Sequence, residues 1–337
     1  MTILVTGGAG YIGSHTCVAL LDAGYDIVVV DSFSNSFPKS LERAKQITGK
    51  EFPVHRTDLL NDTALYEVFR GNKIDAVIHF AGLKAVGESV SDPLRYYENN
   101  IVGTLNLLAN MQNFGVKQMV FSSSATVYGM QNSMPVKEDT PLFPTSPYGR
   151  TKMMLEMIIS DMVTANPDWG VASLRYFNPI GAHRSGRIGE NPNGIPNNLL
   201  PFISQVAVGR RPYLTVNGDD YPTPDGTCIR DYIHVMDLAE GHVHALRYLE
   251  TAKGIETVNL GTGRGYSVLE VLHAFEKASG VNIPYQIGPR RPGDIPISYA
   301  DVSKAHTLLG WSAKRDLAEM CMDTWRWQAN NPHGYDK

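Results

Sequence analysis

The sequence predicts an α/β chain built on a doubly wound parallel sheet, with a smaller, mixed unit drawn mostly from the C-terminal half. Three observations carry this reading. Short apolar runs alternate with helical periodicity from residue 2 to residue 175. The first run passes directly into a glycine loop that opens a helix. Beyond Arg175 the texture changes to Gly, Pro and Asn with short elements. Alternating strands and helices form a parallel sheet covered on both faces, and such sheets take ligands at the carboxyl ends of their strands.

In chain order, residues 2–6 read as the first strand, and Gly7-Gly8-Ala9-Gly10-Tyr11-Ile12-Gly13 follows at once. Residues 14–21 are helical by periodicity, and Ala23-Gly24 ends them. Glycines there let the backbone approach a pyrophosphate, and the helix N-terminus offers free N–H groups and positive potential, as in the Rossmann type of sheet. Residues 27–30 form the second strand, closed by Asp31. A carboxylate at that point accepts hydrogen bonds from the ribose hydroxyls and repels a 2′-phosphate, which favours NAD over NADP.

Residues 53–56 read as a strand ending in Thr57-Asp58-Leu59, and residues 65–69 as helix. Residues 76–80 form a strand running into Ala81-Gly82, and residues 93–113 a single long helix with Gly103 inside it. The strand at 118–121 ends in Ser122-Ser123-Ser124. Residues 147–163 are helical, and the strand at 171–175 ends at Tyr176. The helical pattern of 232–249 and a further strand at 257–260 are expected to return to the sheet. The expected division is therefore discontinuous: 1–180 with 230–262 as a dinucleotide-binding unit, and 181–229 with 263–337 as the other.

Hydrophobic residues make up 43% of the 337 and charged residues 19%, enough for a large core. The formal net charge is −4 with no Lys/Arg run, which argues against a nucleic-acid partner. No apolar run is long enough to span a bilayer. The chain opens on a strand with no basic leader segment, so the expectation is a cytoplasmic protein. Cys17, Cys228 and Cys321 are distant and odd in number, and read as small buried thiols in a reducing compartment without metal-ligand spacing. The crowd of Met153, Met154, Met157 and Met162 reads as packing, in part against a second subunit.

Chemistry concentrates at Tyr148 and Lys152. Four residues apart on a helix, they share a face. A nearby cation favours the phenolate and lowers a Tyr pKa from its usual ~10, so the phenol can take a proton from a substrate hydroxyl near neutral pH. His15, His79 and His234 fit no metal spacing and are expected to be structural, with no metal bound.

The glycine loop, Ser122-Ser123-Ser124 and Tyr148-x-x-x-Lys152 together resemble the extended short-chain dehydrogenase/reductase family. More sharply, the segments at 79–89, 124–129, 175–179, 194–199 and 226–235 resemble the UDP-galactose 4-epimerases, and the likeness runs over essentially the whole chain. The resemblance implies NAD-dependent transient oxidation at C4 of a UDP-hexose, with Tyr148 as base, Ser124 relaying the proton and Lys152 tuning the phenol. It places NAD against Gly7, Gly10, Tyr11, Ile12, Gly13, Asp31, Asn35, Asp58, Leu59, Phe80, Ala81, Gly82, Lys84, Asn99, Ser122, Tyr148, Lys152 and Tyr176. It places the UDP-sugar against Lys84, Ser124, Tyr148, Phe177, Asn178, Asn198, Leu199, Thr215, Asn217, Arg230, Tyr232, Arg291, Asp294 and Ser298. Arg230 and Arg291 would meet the diphosphate and Asp294 the uridine ribose. A homodimer through a four-helix bundle is also implied.

Two positions bear on specificity. Asn217 stands where many relatives carry an aromatic, which bears on uracil selectivity. Ser298 matches the position facing the hexose 2-substituent, and a small residue there leaves room for an acetamido group, so UDP-N-acetylhexosamines are expected substrates too. Dehydratases and decarboxylases of the same fold place carboxylates just after the catalytic Ser/Thr, where this chain has Ala125 and Thr126. A non-catalytic NAD-binding regulator could dispense with Ser124, Tyr148 and Lys152, all of which are present.

Overall fold

A computed structural model describes residues 1–130, 133–291 and 293–335. Strand β1 (Thr2–Thr6) buries Ile3, Leu4 and Val5 completely, as a strand covered on both faces must. It leads into α1 (Tyr11–Asp22), β2 (Asp26–Asp31), α2 (Pro38–Thr48), β3 (Val54–Arg56), α3 (Asp62–Gly71) and β4 (Ala76–His79). Two short helices follow, α4 (Val86–Ser91) and α5 (Pro93–Tyr97), then a π-helical turn over Glu98–Val102 and α6 (Gly103–Asn113). The helix expected over 93–113 runs without a break, its middle turn wound as π-helix. Asn100, inside the turn, clamps the main chain of Leu83, accepting from its N–H at 2.7 Å and donating to its carbonyl at 3.0 Å. Turns of this kind frequently mark functional sites.

The chain continues through β5 (Gln118–Ser124), α7 (Pro147–Ala165), β6 (Gly170–Tyr176), β7 (Asn178–Ile180), α8 (Leu199–Ala207), β8 (Leu214–Asn217), β9 (Ile229–His234), α9 (Val235–Leu249) and β10 (Gly254–Leu260). It ends with β11 (Gly265–Ser267), α10 (Val268–Ser279), β12 (Tyr285–Gly288), β13 (Ile297–Ser298), α11 (Ser303–Leu309) and α12 (Leu317–Asn330). The helical pattern expected from 232 begins at Val235. Residues 229–234 are strand because β9 is paired on both sides, and His234 caps α9 by accepting from Met236 N–H.

Seven strands form the large sheet in the order β10-β6-β5-β4-β1-β2-β3, every pair parallel. The winding reverses between β1 and β4, which opens a crevice at their carboxyl ends. One apolar cluster joins one face of the sheet to α1 and α9, and a second joins the other face to α3, α6 and α7. The smaller unit is mixed, as expected. β7, β9, β11 and β13 form one sheet with β11 antiparallel, β8 and β12 form a parallel pair, and α8, α10 and α12 share a separate core. β7 and β9 thus pair with each other outside the large sheet, and the chain re-enters the large layer at α9.

Asp231, fully buried on β9, joins the two units. It accepts from Thr262 N–H (2.8 Å), Gly263 N–H (3.0 Å) and Ala300 N–H (3.1 Å). Among the described residues no helix is long and apolar enough to cross a membrane.

Candidate active site

The glycine loop sits at the crevice. Gly7 adopts φ +69°, and a Cβ there would lie 2.6 Å from Ala81 N, so the two strand ends approach as only glycine allows. A Cβ on Gly13 would meet Gly7 O at 2.3 Å. Gly10 opens α1 with no side-chain cap and no acid in the first turn, which leaves N–H groups free toward the crevice. Asp31, 7% exposed at the end of β2, accepts from Ala9 N–H (2.9 Å), Phe33 N–H (2.8 Å) and Ser36 Oγ (2.7 Å). A backbone cradle closed by an aligned carboxylate fits a dinucleotide with a free ribose diol.

The other expected dinucleotide contacts gather along this edge. Tyr11 donates its hydroxyl to Gly181 O at 2.7 Å, and Ile12 is half-buried against the core. Asp58 is exposed just past β3, while Leu59 is buried, its carbonyl held by Asn106. Asn35 accepts from Asn193 at 3.5 Å. Phe80 and Ala81 follow directly on β4, Gly82 abuts the Asn100 side chain, and Asn99 lies on the π-helical turn. His15, His79 and His234 are all bonded internally, His79 between Thr6 (2.6 Å) and Thr104 (2.8 Å). Burial pushes His15 and His79 down to about 3, so both stay neutral.

Residues of β5, β6 and α7 form the reactive cluster. Ser146 caps α7 by accepting from Gly149 N–H (3.1 Å), with Pro147 in the first turn, and this fixes where Tyr148 points. Ser124 is the last residue of β5 and pairs in register with Tyr176. Its hydroxyl accepts from Thr126 Oγ1 (2.9 Å) and Thr126 N–H (3.2 Å), and it stands near enough to the Tyr148 phenol to favour the ionised form. Thr126 therefore orients Ser124, a role for which a lone hydroxyl in a loop gives no sequence signal. Tyr176 bonds Ser122 and His242 Nε2. His242 Nδ1 donates to Leu238 O (2.8 Å), and its ring packs on Phe80 at 4.8 Å.

One electrostatic expectation is corrected. Burial pushes the Tyr148 phenol above its usual value, and the opposing influence is the Ser124 hydrogen bond rather than Lys152. The Lys152 ammonium is buried, donates to Ser122 O at 2.6 Å and lies 5.0 Å from the Phe121 ring centre. Desolvation pulls it from its usual 10.5 to about 8, partly offset by Glu156 one turn on. The reason is that removing both groups from water disfavours both charges, and this outweighs their placement on one helix face.

The third group lies in the smaller unit. Arg230 on β9 donates to Ile295 O (2.8 Å) and pairs with Asp294 at 3.4 Å. Ser298 on β13 stands opposite Arg230 in register. The Asn217 amide oxygen accepts from Arg291 Nε (3.1 Å) and Nη2 (3.2 Å), so Asn217 engages a cation. Tyr232 and Phe177 are buried, Leu199 is half-buried at the start of α8, and Asn178 and Thr215 are exposed. Glu190 was not read as a site residue. It accepts from both Lys84 (3.3 Å) and Asn198 (2.8 Å), bridging two candidates far apart in sequence. A single acid in a Gly/Asn-rich loop carries no local signal for this.

A glycine loop on a parallel switch point, an acid ending β2 and a Ser–Tyr–Lys cluster at the same edge define a dinucleotide-dependent enzyme of the short-chain dehydrogenase/reductase class. A profile described as GDP-mannose 4,6 dehydratase matches residues 4–324. The UDP-glucose 4-epimerase of Bacillus subtilis is 61% identical over 335 residues, covering 99% of each chain, and that of Dictyostelium discoideum is 56% identical, covering 99% of this chain and 97% of its own. The crystal structure of the Bifidobacterium longum UDP-glucose 4-epimerase, in complex with NAD+ and UDP, superposes with a TM-score of 0.96 at 52% identity, covering 99% of this chain and 100% of that one. The UDP-Glc/GlcNAc 4-epimerase of Campylobacter jejuni gives 0.85 at 38%, covering 98% and 99%. The chain belongs to the UDP-glucose 4-epimerase family.

Proposed function

We propose that the chain interconverts UDP-galactose and UDP-glucose through a 4-keto sugar, using tightly held NAD. The observation that carries this is the Thr126–Ser124 hydrogen bond set against the Tyr148 phenol, with the buried Lys152 one turn beyond. NAD, when bound, supplies a hydride acceptor and donor in turn. Gly7, Gly10, Gly13 and Asp31 would hold it, with Tyr11, Ile12, Asn35, Asp58, Leu59, Phe80, Ala81, Gly82, Asn99, Ser122 and Tyr176 along its length.

Tyr148 takes the proton of the 4-hydroxyl, and Ser124 orients that oxygen and relays the proton. Because burial raises the phenol, poising it near 7 requires more than roughly 4 kcal/mol of differential stabilisation. Cationic charge acts strongly in such a site, since little water screens it. Arg230 and Arg291 meet the diphosphate with Asn178 and Asn198 as polar partners, Asp294 meets the ribose, and Lys84 serves both dinucleotide and UDP-sugar. Phe177, Leu199, Thr215, Asn217 and Tyr232 line the remainder. The large sheet is the NAD unit and the smaller one the UDP-sugar unit.

Ser298 offers no ring to exclude an acetamido group, so UDP-N-acetylglucosamine and UDP-N-acetylgalactosamine are substrates as well. A 4,6-dehydratase reading lacks its acid, since Ala125 and Thr126 occupy the positions concerned. The working form is a cytoplasmic homodimer. Val102 and Leu105 in the 97–111 segment and Met154 and Met157 on α7 are exposed, Met157 at 60%, and a second copy covers them in a four-helix bundle of those two segments from each chain. The deciding experiment incubates purified protein with UDP-galactose and resolves products by NMR. UDP-glucose is expected without added NAD, and a 4-keto-6-deoxy product or no conversion in the presence of NAD would refute the reading.

A further inference from the structure

Behind Tyr148 and Lys152 lies a buried ion pair with no part in the reaction as proposed. Glu156 on α7 is one turn beyond Lys152, and Arg175 on β6 faces it, with side chains 9% and 5% exposed. Arg175 grips the carboxylate at two points, Nη2 to Oε2 (2.7 Å) and Nε to Oε1 (3.0 Å). Ser123, beside Ser124, donates to the same carboxylate. Arg175 Nη1 donates to Tyr128 Oη (2.9 Å) and Glu138 O (3.0 Å), and Tyr128 donates to Asn259 Oδ1 (2.6 Å). Asn259 holds Val136 O, and Val136 pairs with the main chain of Tyr299 and Asp301, next to Ser298. Apolar side chains of equal volume would stabilise such a helix–sheet contact at least as well as a buried pair, so stability alone does not account for the charge.

We propose that Glu156, oriented by Arg175, is a positioning residue: its carboxylate is the counter-charge that keeps the Lys152 ammonium ionised and seated on β5 beside Tyr148. The inference rests on the role given to Lys152 above. On α7 Tyr148 and Glu156 stand one turn to either side of Lys152, and the groups around its ammonium are Glu156, His79 from β4, and the Ser122 carbonyl and Phe121 ring from β5. His79 is neutral and Tyr148 is held protonated by burial, so neither supplies negative charge. The groups facing Glu156 are the Arg175 cation and the hydroxyls of Ser123 and Ser173. Among the described residues Glu156 is the carboxylate that opposes the effect of burial on Lys152.

The test titrates Lys152 directly by NMR in 13C-lysine-labelled holoenzyme, its resonance assigned by its loss in Lys152→Met. Glu156→Gln removes the charge and keeps the volume, whereas Arg175→Lys keeps the charge and loses the planar fork. Both lower stability, because both break the buried pair. Glu156→Gln is expected to lower the Lys152 midpoint by about one pH unit or more, and the alkaline limb of UDP-galactose turnover moves down with it. Arg175→Lys leaves the midpoint in place. Where Glu156→Gln does not accumulate folded, Glu156→Gln/Arg175→Met leaves no unpaired buried charge, and a smaller fall is expected, because the more distant Arg175 cation leaves with the carboxylate. An unchanged midpoint on loss of the carboxylate, or an equal fall in Arg175→Lys, overturns the inference. A midpoint that falls while the rate profile stays in place keeps Glu156 in this role and removes Lys152 from the reaction instead.

Discussion

Replacing Lys152 with Met is expected to abolish turnover and to stabilise the protein. The ammonium is buried and pulled from 10.5 to about 8 chiefly by desolvation. At about 1.4 kcal/mol per pH unit, its burial costs about 3 kcal/mol of folding free energy at neutral pH. Methionine fills similar volume without a charge. With ~2 cal/mol/K of unfolding entropy per residue, that gain corresponds to about 4 °C in Tm for a chain of 337 residues.

The sign with pH follows from proton counts. The folded-state pKa lies below the unfolded one, so between about 8 and 10.5 the folded wild type holds fewer protons than the unfolded chain. Wild-type stability therefore rises with pH across that window. The advantage of Lys152→Met is complete below pH 8, shrinks through the window and vanishes above it. Urea denaturation of both proteins, freed of dinucleotide, at pH 7 and near pH 10.5 measures this. A variant less stable than wild type at pH 7, or an advantage of equal size at both pH values, refutes the electrostatic argument.

Tyr148→Phe should keep the fold and lose roughly 10²–10⁴-fold in turnover, the usual contribution of a general acid–base group. Near-normal kcat ends its assignment as base. Ser298→Tyr should cut the ratio of N-acetylhexosamine to plain-hexose turnover by tenfold or more, since overpacking costs about 1–3 kcal/mol, and an unchanged ratio measured by NMR sinks the gate. Gly13→Ala sets a Cβ 2.3 Å from Gly7 O, so protein purified without added nucleotide should lose the NAD that wild type carries, as chromatography after denaturation will show. Met157→Glu, on a 60% exposed side chain of α7, should turn a dimer into a 37 kDa species by light scattering, and a wild type that is already monomeric at micromolar concentration contradicts the bundle.

The parts legible in the sequence are those whose chemistry is local. The glycine loop, Asp31 at a strand end and the Tyr148/Lys152 spacing each depend on residues a few positions apart, and backbone geometry translates that spacing into shared faces. The parallel sheet was legible for the same reason, because alternating periodicity reports which faces are buried. The π-helical turn was not, since it arises where Asn100 reaches the main chain of Leu83. The reach of Glu190 to Lys84 and Asn198, the Asn217–Arg291 pair and the Glu156–Arg175 pair all join segments that meet only on folding. Strand β9 was read partly as helix because pairing with three other strands, rather than its own pattern, decided its conformation. The sign of the Tyr148 shift belongs to the same class. Spacing placed a cation on the same face, but the free energy of each ionised form depends on how much water the fold removes, a property of the packed molecule and not of any stretch of chain.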